Sequence, residues 1–180
     1  MSILVFSILT NFVYYCAGYI IQPQKKFSDH SIFFTFLVGT IVVSFLGLFL
    51  NFFFALDQLT NSLIYILIIV IFFLKNKLNI NRKIFFFLIL SSIITFLLII
   101  KSNINRPDAG LYHLPFISIL NEHKIFFGLS NIHSRFGHVS IMQYLSAINN
   151  NYIFLNNGIS IPLASIVSFF YLYFFFDTFN

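Results

Sequence analysis

Tryptophan is absent from this 180-residue chain, cysteine occurs once, and five acidic residues stand against ten lysines and arginines. Each shortage excludes something. The lone thiol, Cys16, lies inside an apolar run, so it closes no internal disulfide and carries no redox-compartment signal. Charged residues make up 8% of the chain and hydrophobic ones 59%, with a mean hydropathy of +0.92. A soluble fold of this size has no means of hiding that much apolar surface, so the composition points to an integral membrane protein. The net charge of +5 superficially suggests a nucleic-acid partner. Most of the basic residues, however, sit in short loops beside apolar runs, where membrane topology accounts for them. Membrane lipid is the expected partner and nucleic acid is not. The excess of Phe (28 residues), Ile and Asn reads as the mark of an AT-rich coding sequence, without functional meaning.

What is present is a series of long hydrophobic runs. Candidate membrane spans cover residues 3–21, 31–56, 59–74, 84–100 and 159–176. The longer runs suffice to cross a hydrocarbon core of ~30 Å. The expected fold is therefore all-α: one polytopic membrane domain over residues 1–180, with about five transmembrane helices and one long loop at 101–158. No Lys or Arg precedes the first run, which argues against a cleaved signal peptide. Lys25, Lys26, Lys75, Lys77, Arg82 and Lys83 fall in the first and third inter-span loops, and the second loop has none. Positive-inside logic then places the N-terminus and the 101–158 loop on the external face of a cell inner membrane, the periplasm or its equivalent. The last run finishes close to Asn180, and the chain is expected to be the N-terminal part of a longer polytopic protein.

The 101–158 loop holds two of the five acidic residues and four of the five histidines. Leu111, Leu114, Ile117 and Leu120 form one helical stripe, and Phe136, Val139, Met142, Leu145 and Ile148 a second. Neither is long enough to span, so both are expected as helices lying along the membrane interface, with a turn at Gly128 and Ser130-Asn131 between them. Asp108, between Pro107 and Ala109, suits two roles: cap of a helix starting near Ala109, or general base toward a hydroxyl. His113, His123, His133 and His138 are of the type that binds zinc or manganese alongside Asp108. His133 and His138 are five residues apart, not the four that stacks two imidazoles on one helical face. A divalent metal is accordingly not the favoured reading, and no cofactor is expected. Arg135 offers a planar fork for a phosphate, with Arg106 as a second candidate, whereas Lys101 and Lys124 read as snorkelling cations.

The blocks Asp108-Ala-Gly-Leu-Tyr112-His113 and Gly128-Leu-Ser-Asn131-Ile-His133-Ser-Arg135-Phe-Gly-His138-Val-Ser140, with Glu122 between them, resemble a family of bacterial polytopic membrane proteins. In that family an Asp-x-x-x-Tyr-His block is followed by Gly-Leu-x-Asn-Leu-His-x-Arg. The family in turn looks like a branch of the GT-C glycosyltransferases, which use polyprenyl-phosphate-linked sugars and carry an essential acidic residue in a large external loop. The resemblance spans roughly residues 106–144 and implies Asp108 as the catalytic residue. It implies Tyr112, His113, Glu122, Asn131, His133, Arg135 and His138 as the substrate-binding set, and a glycan or lipid as acceptor. Two features depart from the GT-C pattern: three spans precede the one before the loop, and the chain has fewer spans than those enzymes. A non-catalytic subunit of a polysaccharide transport or polymerisation system is the rival. It predicts ionisable residues inside the spans, where this sequence has almost none. A metal-dependent membrane hydrolase rests on the histidines alone.

Overall fold

The computed structural model describes residues 2–23, 29–75, 82–102, 109–137 and 140–179. Among these, helices and turns account for the regular structure and no strand is present. In chain order the helices are α1 (Ser2–Ile21), α2 (Asp29–Asn51), α3 (Gln58–Lys75), α4 (Arg82–Lys101), α5 (Leu114–Glu122), α6 (Leu129–Ile132), α7 (Ile141–Ile148) and α8 (Ile161–Phe179). Five helices are long and apolar enough to cross a membrane, by length and composition: α1, α2 from Ser31, α3, α4, and a run from Leu155 to Thr178 that takes in α8 up to its penultimate residue. Their outer faces carry large apolar side chains. On α3, Leu59, Leu63, Ile66, Leu67, Val70 and Leu74 are all exposed at helical spacing. An exposed apolar stripe of this kind marks a face that meets lipid or another protein.

The long helices alternate in direction. Antiparallel α4 and α8 meet at Phe87–Phe176 and Thr95–Ser168. α1 and α2 touch backbone to backbone, since a Cβ on Gly18 would collide with the Thr35 carbonyl and one on Gly39 with that of Tyr14. Small residues at a crossing allow the close approach from which apolar helices gain their packing energy. The second helix stops at Asn51, short of the expected residue 56. Its last turn tightens as Phe53 and Phe54 donate back to the Leu50 carbonyl, and the chain then turns so that Leu56 N–H donates to Leu120 O.

The segment between α4 and α8 departs from the expectation of two surface helices. α5 buries Phe116, Ile117 and Leu120, while Leu111 and Leu114 of the expected stripe are exposed. The cause is local. Residues Ala109–His113 form a wide π-helical turn, whose i→i+5 bonding puts Leu111 out of phase with α5. α7 does not lie along the surface. Leu145, Ala147 and Ile148 are wholly buried, and Gly47 of α2 leaves room for Ile148 and Tyr144. α7 therefore enters the bundle, and the turn after it descends between α1 and α3.

Asparagines hold that turn. Asn149 Oδ1 accepts from Thr10 Oγ1 at 3.1 Å and Tyr65 Oη at 2.6 Å, while its amide donates to Tyr14 Oη at 2.8 Å and Leu145 O at 2.9 Å. The Asn61 amide reaches the carbonyls of Leu56, Ala147 and Asn150, and that of Asn121 those of Leu56 and Ala147. Irregular backbone buried inside a helix bundle survives only when its carbonyls find protein partners. The asparagine excess is thus structural at these positions, contrary to its reading as coding bias.

Candidate functional site

The candidate residues divide between those the fold gathers and those it keeps apart. Tyr112 and His113 close the π-helical turn, at the lip of α7. Their rings pack at a tilt of 43°, with centroids 4.2 Å apart. Arg135 arrives from a 3-10 turn, Ser134–Gly137, and its guanidinium carbon lies 4.9 Å from the centre of the Tyr112 ring. A cation over an aromatic face is attracted by the ring quadrupole, and the planar guanidinium is held there without losing its donors. His133 shapes the same turn. Its Nδ1 accepts the Arg135 backbone N–H at 3.2 Å, and its ring packs on Phe136, which in turn packs on Phe116 of α5.

Two expected residues stand elsewhere. Glu122 is exposed at the far end of α5, accepting a hydrogen bond from Ser118 one turn back. Asn131 is exposed on α6, a short turn entered through Gly128, whose φ of 92° is a left-handed conformation that favours glycine. Asp108, His138 and Arg106 lie outside the described residues. Among the described residues, no three His, Cys, Asp or Glu side chains are grouped so as to hold a metal ion.

Gln143 belongs to the gathered cluster and did not emerge from the motif reading. It sits at the third position of α7 and is 7% exposed, and its amide comes within 3.3 Å of His113 Nδ1. The same side chain accepts the Ser140 backbone N–H at 3.0 Å, while Ser140 Oγ accepts from Met142 N–H. This is a capping box, and the spacing Ser140-x-x-Gln143 was a legible signal for it. The expected second stripe overlooked the residue because it is polar.

A pocket of about 230 Å³ lies beside the cluster, between α5, the end of α2 and the Phe126–Gly137 stretch. Its lining is mostly aromatic and aliphatic, with Lys124 and His123 as the charged or titratable groups. None of the gathered residues Tyr112, His113, Arg135 or Gln143 lines it, although Phe136 bridges the two. The pocket is smaller than the ~300–1,000 Å³ usual for small-molecule sites and poor in hydrogen-bonding groups. It does not suit a sugar. Tyr144 also lines it, and burial raises that phenol above its ordinary value, so it stays neutral.

The described cluster is thus cationic and aromatic, with neutral hydrogen-bonding partners, and it follows directly on the segment that contains Asp108. Its chemistry suits an anionic oxygen next to a ring-shaped apolar face. No curated protein and no solved structure matches the chain. A family model described as "Domain of unknown function (DUF8201)" matches residues 1–180, and the chain belongs to that family.

Proposed function

We propose that the five apolar helices cross a bacterial inner membrane, and that the protein transfers a sugar from a polyprenyl-phosphate carrier to a glycan or lipid acceptor on the external face. The observation that carries this reading is the Arg135 guanidinium lying over the Tyr112 ring beside His113, with Tyr112 and His113 immediately after the Asp108 segment in sequence. Arg135 binds the carrier phosphate, and Tyr112 offers a ring edge to the sugar. Asp108 takes the proton of the acceptor hydroxyl as its oxygen attacks the anomeric carbon. The bond from that carbon to the phosphate oxygen breaks, its electron pair leaves with the polyprenyl phosphate, and the centre inverts. The resemblance of residues 106–144 to the GT-C-like family supports the assignment, as do the apolar outer faces of the helices.

Substituting Asp108 by Asn tests the base. Asn caps a helix about as well as Asp, so a capping residue would tolerate the change with little loss of stability. A general base would not, and its removal typically costs about 10²–10⁴ in rate. Transfer of labelled sugar from a polyprenyl-phosphate donor, measured in proteoliposomes with the full chain, should fall by that factor while membrane insertion is unchanged. Activity near that of the wild type would leave Asp108 a cap and remove the reading.

A further inference from the structure

We infer that Gln143 fixes His113 as a neutral imidazole protonated on Nε2, making it a hydrogen-bond donor to a phosphate oxygen and not a proton acceptor through Nδ1. The argument begins at Ser140. Its backbone N–H is a donor only, and the Gln143 side chain meets it at 3.0 Å, so the atom facing it must be the amide oxygen. The orientation of that amide is then determined, and the NH₂ faces His113 Nδ1 at 3.3 Å. A protonated Nδ1 would set donor against donor. Flipping the amide to accept from it would turn the NH₂ against the Ser140 N–H. One arrangement satisfies all three groups: Nδ1 carries the lone pair and Nε2 the proton.

The consequence for the site follows from geometry. Nε2–H is the one ring donor left to His113, on an imidazole packed at a tilt against the Tyr112 ring that also carries Arg135. The Arg135 guanidinium and the His113 N–H are then both donors beside one aromatic ring, and donors are what the oxygens of a phosphate ester accept. Gln143 is a positioning residue, acting through His113. The phosphate role rests on the reading proposed above, whereas the tautomer stands independently of it.

The test uses the full chain with ¹⁵N-labelled histidine in lipid nanodiscs. His113 is assigned by the signal lost in His113→Gln. The expected spectrum has Nε2 protonated and Nδ1 bare. Gln143→Glu retains the capping box, because Glu serves that position equally well, so thermal stability should hold. Its second carboxylate oxygen demands a proton, however, and should move His113 to the Nδ1-protonated form. A wild-type His113 already protonated on Nδ1, or one whose signals are the same in Gln143→Ala, overturns the proposal. In a second arm, short-chain polyprenyl phosphate is the probe. His113→Leu should weaken its binding about tenfold or more, and His113→Gln, which keeps an N–H near the Nε2 position, should weaken it less. The expected tautomer with unchanged binding in His113→Leu would overturn the His113–phosphate contact inferred here, leaving the Gln143 lock and the Arg135 site proposed above standing.

Discussion

Arg135 and Tyr112 show what one contact is asked to supply. The cation–π contact on a partly exposed ring contributes only about 0.5–1 kcal/mol, too little to hold the fold but enough to bias where the guanidinium sits. Arg135→Lys keeps the charge and loses the two-pronged donor, so binding of a polyprenyl phosphate should weaken about tenfold with no change in melting temperature. Tyr112→Phe keeps the ring face and should bind like the parent, and Tyr112→Leu should behave like the lysine variant. Equal binding in all three, by titration in detergent, would make Arg135 a surface cation without a ligand role. Both residues were visible in the sequence as candidates, Arg135 for the planar fork it offers a phosphate and Tyr112 as part of the Asp-x-x-x-Tyr-His block that carries the family resemblance. Their contact was not visible, since 23 positions separate them and a turn of irregular backbone brings them together. Gln143 was hidden for another reason. A buried glutamine violates the apolar stripe, and only its partners, Ser140 and His113, explain its burial.

At the scale of elements, α7 and the turn behind it set the depth of the site. α7 enters the bundle where Gly47 leaves space, and Asn149 fastens its end to α1 and α3 through three hydrogen bonds. Thr10 is roughly 12 Å along α1 from its first residue, at about 1.5 Å per residue, so the turn is anchored well inside the bundle. Asn149→Leu keeps the branched side-chain shape and abandons Thr10, Tyr14 and Tyr65. Hydrogen bonds between apolar helices average about 0.6 kcal/mol and reach about 1.7, and the stranded groups add to the loss. A destabilisation of about 2–3 kcal/mol is expected, read as a lower midpoint of denaturation in detergent. A change under about 0.5 kcal/mol would mean that α7 is held by apolar packing alone. The amphipathic pattern of α7 could not reveal its burial. Eight residues with one apolar stripe suit a membrane surface and a notch in a helix bundle equally, and the choice is made by the partner that supplies the notch.

For the whole molecule, orientation is the property that everything external depends on. The turn after α2 is bonded to α5, and Tyr152 N–H donates to Ser62, so the 109–160 segment gathers at the α2–α3 end of the bundle. Single cysteines at Asp57 and Asn156, introduced in a Cys16→Ala background, occupy exposed positions at that end; Gln22 and Thr178 are exposed at the opposite one. In intact spheroplasts an impermeant thiol reagent should label the first pair and spare the second. The inverse pattern would turn the site to the cytoplasm and defeat the external transfer reaction. The sequence by itself determined the helical class, the number of long apolar helices and, nearly, their ends, because a run of apolar residues answers to bilayer thickness and needs no partner to be read. It also marked the polar segment in which chemistry is to be sought. Tertiary structure alone decided that α2 stops at Asn51, that α7 turns inward, and that Gln143 faces His113. Each of these depends on where a buried carbonyl, amide or imidazole finds a partner distant in the chain, and pairing of that kind leaves no periodicity in the sequence.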